Sequence, residues 1–166
     1  MLLIRCLIFK PIKMFRERLS QHAEICLKIY DAFEKQNLQP VIRLDAVSNS
    51  VCRDKPKTSF DLFCLNSYSR FEIKTSKVDR CLLKNIVSTN FYIFCFLKSN
   101  RVMIAYGKCL KNLKLEKENT GYEVCYVVTP ETPYLVLVGS CKPFKIDKKL
   151  DYHFLREVKK CGLNQE

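Results

Sequence analysis

Residues 59–65 read SFDLFCL and residues 69–75 read SRFEIKT, joined by the short polar connection Asn66-Ser67-Tyr68. Two apolar-rich runs of strand length on either side of such a connection predict a β-hairpin. Side chains alternate along a strand. In the second run Arg70, Glu72 and Lys74 therefore point one way, and Phe71, Ile73 and Thr75 the other. Asp61 sits early in the first run, where the hairpin brings it beside Glu72. An acid pair on adjacent strands, flanked by Lys74 on the Glu72 face, is the chemical centre of gravity of the sequence.

On the N-terminal side, Leu19, Ala23, Cys26, Tyr30 and Phe33 recur at helical spacing, which predicts a helix over 15–36 with one apolar face. Asn37 to Pro40 end it, and PVIRLDAV (40–47) reads as a strand. Residues 48–58 are polar and contain Pro56, a loop. On the C-terminal side, KVDRCLLKNIVS (77–88) suits a short helix with Ser76 as its N-cap. NFYIFCFL (90–97) is apolar at every second position on both faces, the pattern of a central strand covered from both sides. RVMIAYG (101–107), GYEVCYVV (121–128) and PYLVLVG (133–139) add strands, and 147–161 reads as a basic helix. The expected fold is α/β: a mixed central β-sheet flanked by helices, in the order α-β-β-β-α-β, with C-terminal strands and a basic helix added. At 166 residues the chain is expected to be a single domain over 1–166. Its core would be 15–107, and 108–166 would be a basic C-terminal extension of the sheet.

Composition narrows the function classes. Hydrophobic residues make up 48% of the chain and charged residues 28%, which excludes wholesale disorder. Lys and Arg number 29 against 17 Asp and Glu, a net +12, and that excess asks for a polyanionic partner. Ten cysteines are present, no two closer than twelve residues, so there is no C-x-x-C pair and no zinc-finger spacing. Several lie in apolar runs (Cys64, Cys95, Cys125) and read as buried reduced thiols, pointing to an intracellular, reducing compartment, cytoplasmic or nucleoid-associated. The opening MLLIRCLI is too short to span a bilayer and lacks the features of a signal peptide, so no membrane association is expected. His22 and His153 stand too far apart in sequence to suggest a pair.

Asp61 and Glu72 held close repel each other, and a divalent cation between them relieves the repulsion. Oxygen ligands favour magnesium or manganese, which bind few carboxylates and keep waters. Lys74 beside a metal-bound water would orient or deprotonate it, or stabilise charge developing on a phosphate. Two other acid-x-Lys triples, Asp147-Lys148-Lys149 and Glu157-Val158-Lys159, lack a preceding strand that carries an aspartate at hairpin distance.

With Asp61, ten intervening residues and then Glu72-Ile73-Lys74, following a helix and a strand, residues 15–97 resemble the PD-(D/E)XK nuclease superfamily. That superfamily includes restriction and homing endonucleases and Holliday-junction resolvases. Phe60 stands where the family motif has proline, and Glu17 and Glu24 lie opposite the apolar stripe, away from the position of a first-helix acid. The resemblance implies a restriction-endonuclease-like core and magnesium- or manganese-dependent hydrolysis of phosphodiester bonds. It implies Asp61 and Glu72 as metal ligands and Lys74 as the catalytic lysine. A site-specific DNA endonuclease of restriction or homing type is the first expectation and a junction resolvase the second. A basic nucleic-acid-binding module without catalysis is the rival from another class. Cutting both strands of DNA takes two sites, so a homodimer or tetramer is expected. Lys77 follows the motif. Lys108, Lys111 and Lys114 recur every three residues, and Lys142, Lys145, Lys148 and Lys149 crowd the tail, as candidate contacts to the phosphate backbone.

Overall fold

The computed structural model describes residues 21–43 and 60–162. The expectations for residues 1–20, for the far end of the 40–47 strand and for the 48–58 loop lie outside the described residues. Within them the fold is mixed α/β. The elements are α1 (Gln21–Lys35), β1 (Pro40–Ile42), β2 (Leu62–Cys64), β3 (Ser69–Ser76), β4 (Cys81–Leu83), β5 (Asn90–Phe96) and β6 (Arg101–Tyr106). There follow α2 (Gly107–Lys111), β7 (Lys117–Asn119), β8 (Val124–Val128), β9 (Val136–Cys141), β10 (Phe144–Ile146) and α3 (Tyr152–Lys160). Seven strands form one sheet in the order β1-β2-β3-β5-β6-β9-β10, and β4-β8-β7 form a second. In the large sheet β3 and β5 are parallel, from Arg70 opposite Asn90 to Ser76 opposite Phe96, and the other neighbours are antiparallel.

The doubly apolar run at 90–96 becomes the strand that organises both cores. All seven residues of β5 are buried. Phe91, Ile93 and Cys95 face α1 and α3, packing with Phe33, Phe71, Ile73, Leu155 and Val158. The Phe33 and Phe71 rings meet edge to face at 5.0 Å, and Phe71 stacks on Phe91 at 5.4 Å. Tyr92, Phe94 and Phe96 form the other face as a ladder of stacked rings 6.1 and 5.9 Å apart, beneath Cys81, Leu83 and Val128 of the small sheet. Burying each such ring contributes about 1.5–3 kcal/mol.

Two expectations are corrected. Residues 77–88 form no helix: a bend at 77–79 leads into β4. Cys81 and Leu83 are buried and Leu82 is exposed, a two-residue period, because β4 pairs with β8 and lies over the aromatic ladder. A helix there would have turned Val78, which is exposed, toward the core with Cys81 and Leu82. Ser76 therefore caps a tight turn instead of a helix, donating to the Arg80 carbonyl at 2.7 Å and accepting from the Val78 amide. Second, the cover is not helical on both faces: α1 and α3 pack on one face of the large sheet, while the small sheet, joined by Leu110 of α2, covers the other. Of the C-terminal strands β9 extends the large sheet, while β8 joins the small one. The hairpin and the 152–160 portion of the basic helix form where expected. Asp151 caps that helix through the Phe154 amide at 2.9 Å.

The eight described cysteines are free thiols, seven of them buried. Among the described residues no helix is long and apolar enough to cross a membrane.

Gly139 marks a point where β9 and β10 approach too closely for a side chain, since a Cβ there would collide with the Lys145 carbonyl. Gly139→Ala is expected to lower stability by about 1–3 kcal/mol, as overpacking does. Urea unfolding checks this; an unchanged midpoint and slope would show that the hairpin opens freely.

Candidate functional site

β2 ends while β3 runs on, and the acids gather at the fork this leaves. The ladder pairs Leu62 with Phe71 and Cys64 with Ser69. Continued unbroken, it would set Asp61 across from Glu72 and Phe60 across from Ile73. Instead the chain bends at Asp61. The Ile73 amide donates to the Asp61 carboxylate at 2.7 Å, so a side chain takes the place in the ladder that the Phe60 carbonyl would fill. The Asp61 backbone stays tied on both sides, its amide to the Phe71 carbonyl at 2.9 Å and its carbonyl to the Arg43 amide at 3.0 Å. Asp61 is 3% exposed, a buried carboxyl group that accepts from a backbone donor. The Ile73 carbonyl points to the same side of β3 as its amide and faces the fork as well.

Glu72 and Lys74 lie on the face away from α1. The Lys74 ammonium is 3.2 Å from the Glu72 carboxylate, and Glu72 is the more buried of the two. Tyr92, which is opposite Glu72 in the β3–β5 register, brings its hydroxyl to the same carboxylate and accepts the Val87 amide at 2.8 Å. Burial raises the Tyr92 phenol well above its ordinary value, partly offset by the Val87 amide, and the Glu72 charge and hydrogen bond raise it further. Tyr92 is thus a protonated donor beside Glu72. Burial also pushes the Cys81 thiol up to about 11, against the pull of the Lys74 ammonium.

On the α1 side of the fork are two side chains that carry no chemical role in the sequence pattern, where Cys26 belongs to the apolar stripe. His22 and Cys26 stand four residues apart on α1, one turn, and share a face. His22 Nε2 lies 3.5 Å from Cys26 Sγ, and His22 Nδ1 lies 3.3 Å from Thr75 Oγ1. With Asp61 they present donor atoms within 4.8 Å of one another. The i, i+4 spacing was visible in the sequence. What makes it notable is Asp61 beneath it, which only the bend at the start of β2 brings there.

The lysines divide between the two ends of the sheet. Lys77 follows Ser76 at the fork end of β3. Lys142 shares that end: its amide and that of Cys141 both bond Asn100 Oδ1, and the Cys141 thiol donates to the Phe96 carbonyl, level with Ser76. Lys142 and Lys145 line a groove of about 670 Å³ with Lys28 and Lys35 of α1, where Asp31 is the acidic residue. Lys145 also pairs with Asp147 at 3.2 Å. Lys148 and Lys149 are exposed just beyond, and the Lys148 carbonyl accepts from Gln36 at 2.9 Å. Lys108 and Lys111 lie on α2, which leaves the opposite end of the sheet beside the start of β5, and the exposed Lys114 follows it. The structure therefore brings Lys77 and Lys142 to the end of the sheet that carries Asp61, Glu72 and Lys74, and leaves Lys108, Lys111 and Lys114 at the other.

No family model, curated protein or solved structure matches the chain.

The Asp61 carboxylate carries structure as well as any chemistry. Asp61→Ala, which leaves the Ile73 amide without its acceptor, is expected to cost about 1–3 kcal/mol of stability. Asp61→Asn, whose amide oxygen still accepts, is expected to cost less. Paired denaturation curves check the order; equal losses would mean that the bond to Ile73 is not what Asp61 supplies.

Proposed function

We propose that the chain is a metal-dependent DNA endonuclease that hydrolyses phosphodiester bonds at the β2–β3 fork, with a restriction-endonuclease-like core. One observation carries this reading: the buried Asp61 carboxylate sits at the β3 edge on the amide of Ile73, which lies directly between Glu72 and Lys74 in sequence, with the Lys74 ammonium 3.2 Å from Glu72. The strand order β1-β2-β3-β5 with β3 and β5 parallel supports it, as it follows the expected sequence of strands despite the missing second helix. Two carboxylates and a carbonyl edge make an oxygen donor set that suits magnesium or manganese. Asp61 and Glu72 would hold the ion, which when bound supplies Lewis-acid polarisation of the phosphate and an activated water.

The chain's own residues do the rest. Tyr92 donates to Glu72 and fixes its carboxylate against the sheet. Lys74, about one-third exposed, is the group free to leave its ion pair for an incoming phosphate or water. An ammonium positioned there stabilises charge that develops in the transition state, which is where such a group acts most strongly. Lys77 and Lys142 at the fork end, with the Lys28–Lys145 groove beyond, offer a phosphate backbone a positive track. Cutting both strands takes a second copy of the chain. The rival, a basic binding module without catalysis, takes support from the same ion pair read as a self-satisfied sheet surface.

Magnesium-dependent nicking or cleavage of plasmid DNA is expected, and a four-way junction substrate separates a resolvase from a site-specific enzyme. Lys74→Ala is expected to lower turnover at least about 100-fold and leave DNA affinity within a few-fold, because a group acting in the transition state changes kcat and not ground-state binding. DNA binding with no cleavage of any substrate, in magnesium or manganese, selects the binding module.

Charge reversal at Lys142 and Lys145 tests the track. Each lost phosphate contact is expected to reduce the slope of log affinity against log salt by about 0.9. Binding measured across a salt series reads it, and an unchanged slope would place the DNA elsewhere on the surface.

A further inference from the structure

We infer that His22, Cys26 and Asp61 bind a zinc-class divalent cation on the α1 side of the fork. Their donor atoms lie within 4.8 Å of one another, so one ion can reach all three. The 3.5 Å between His22 Nε2 and Cys26 Sγ is close to the separation two ligands take around one tetrahedral zinc, about 3.6 Å for Zn–N near 2.1 Å and Zn–S near 2.3 Å. The supporting groups fit as well. Thr75 Oγ1, 3.3 Å from Nδ1, can accept its proton, which leaves the Nε2 lone pair for the ion, and such outer partners orient metal-bound histidines. The Ile73 amide holds the Asp61 carboxylate in place. Two of the three ligands come from one turn of α1, so folding that helix onto the fork assembles the site.

The donor types decide the metal. A thiol, an imidazole and a carboxylate form a mixed sulfur, nitrogen and oxygen set, which selects zinc over magnesium. Three protein ligands leave a fourth position for water or an anion. The same three residue types could in principle make a thiol nucleophile with its base. Cys26 is 0% exposed, however, and a nucleophile needs a path for its substrate. An ion needs only the half-exposed edge at His22. Binding deprotonates the Cys26 thiol, so affinity rises with pH.

This inference shares Asp61 with the proposed nuclease site but does not rest on hydrolysis. The test uses the full chain stripped with chelator and titrated with Co2+ as a spectroscopic probe, then with Zn2+. One equivalent of Co2+ should bind with a thiolate-to-cobalt charge-transfer band, Zn2+ should displace it, and Zn2+ should raise the melting temperature. Cys26→Ser and His22→Ala should each abolish the band, and Thr75→Ala should weaken binding about 10-fold. Glu72→Gln, on the other face, should leave the band intact; loss of cleavage in that variant with the band retained supports both readings separately. If Cys26→Ser does not fold, His22→Ala carries the test, because His22 is only partly buried. A folded wild-type chain without the band, or a band that survives both ligand variants, overturns the inference.

Discussion

Burial of β5 on both faces is the constraint to which the rest of the architecture answers. A strand with aromatic and aliphatic side chains on each side is stable only if something apolar covers each side. α1 and α3 supply one cover. The small sheet supplies the other, and the need for it explains why Cys81–Leu83 extends as a strand over Tyr92, Phe94 and Phe96. β3 then lies beside β5 in parallel, which fixes where Glu72 and Lys74 stand relative to Tyr92.

The second determinant is local. One side chain, Asp61, replaces a backbone carbonyl at the end of a ladder and lets β2 turn away while β3 continues. A fork of this kind gathers polar groups that a continuous sheet would keep apart: a buried carboxylate, the Ile73 edge, Glu72 on one face and the His22–Cys26 turn on the other. The fork is therefore a structural seam at which polar side chains from three elements meet.

Much of this was legible one element at a time. The hairpin followed from two alternating runs and a short polar connection, β5 from its doubly apolar pattern, and α1 from the 3.6-residue stripe through Ala23, Cys26, Tyr30 and Phe33. The segment 77–88 was not legible, because a short run with two apolar positions on each period fits a helix and a strand alike. The cover that β5 requires decided between them.

Local pattern sufficed to put Glu72 and Lys74 on one face of a strand, since side-chain alternation is a property of neighbouring residues. The net positive charge and the cysteine content, as sums over composition, were legible at the same level. The surroundings of Asp61 were set by long-range packing alone. His22 and Cys26 reach it across 39 and 35 residues of chain because α1 packs on β3. The same packing decided, too, that Lys142 shares the fork end of the sheet and Lys108 does not. Strand order and direction set those positions, and they follow from long-range pairing that no local pattern encodes.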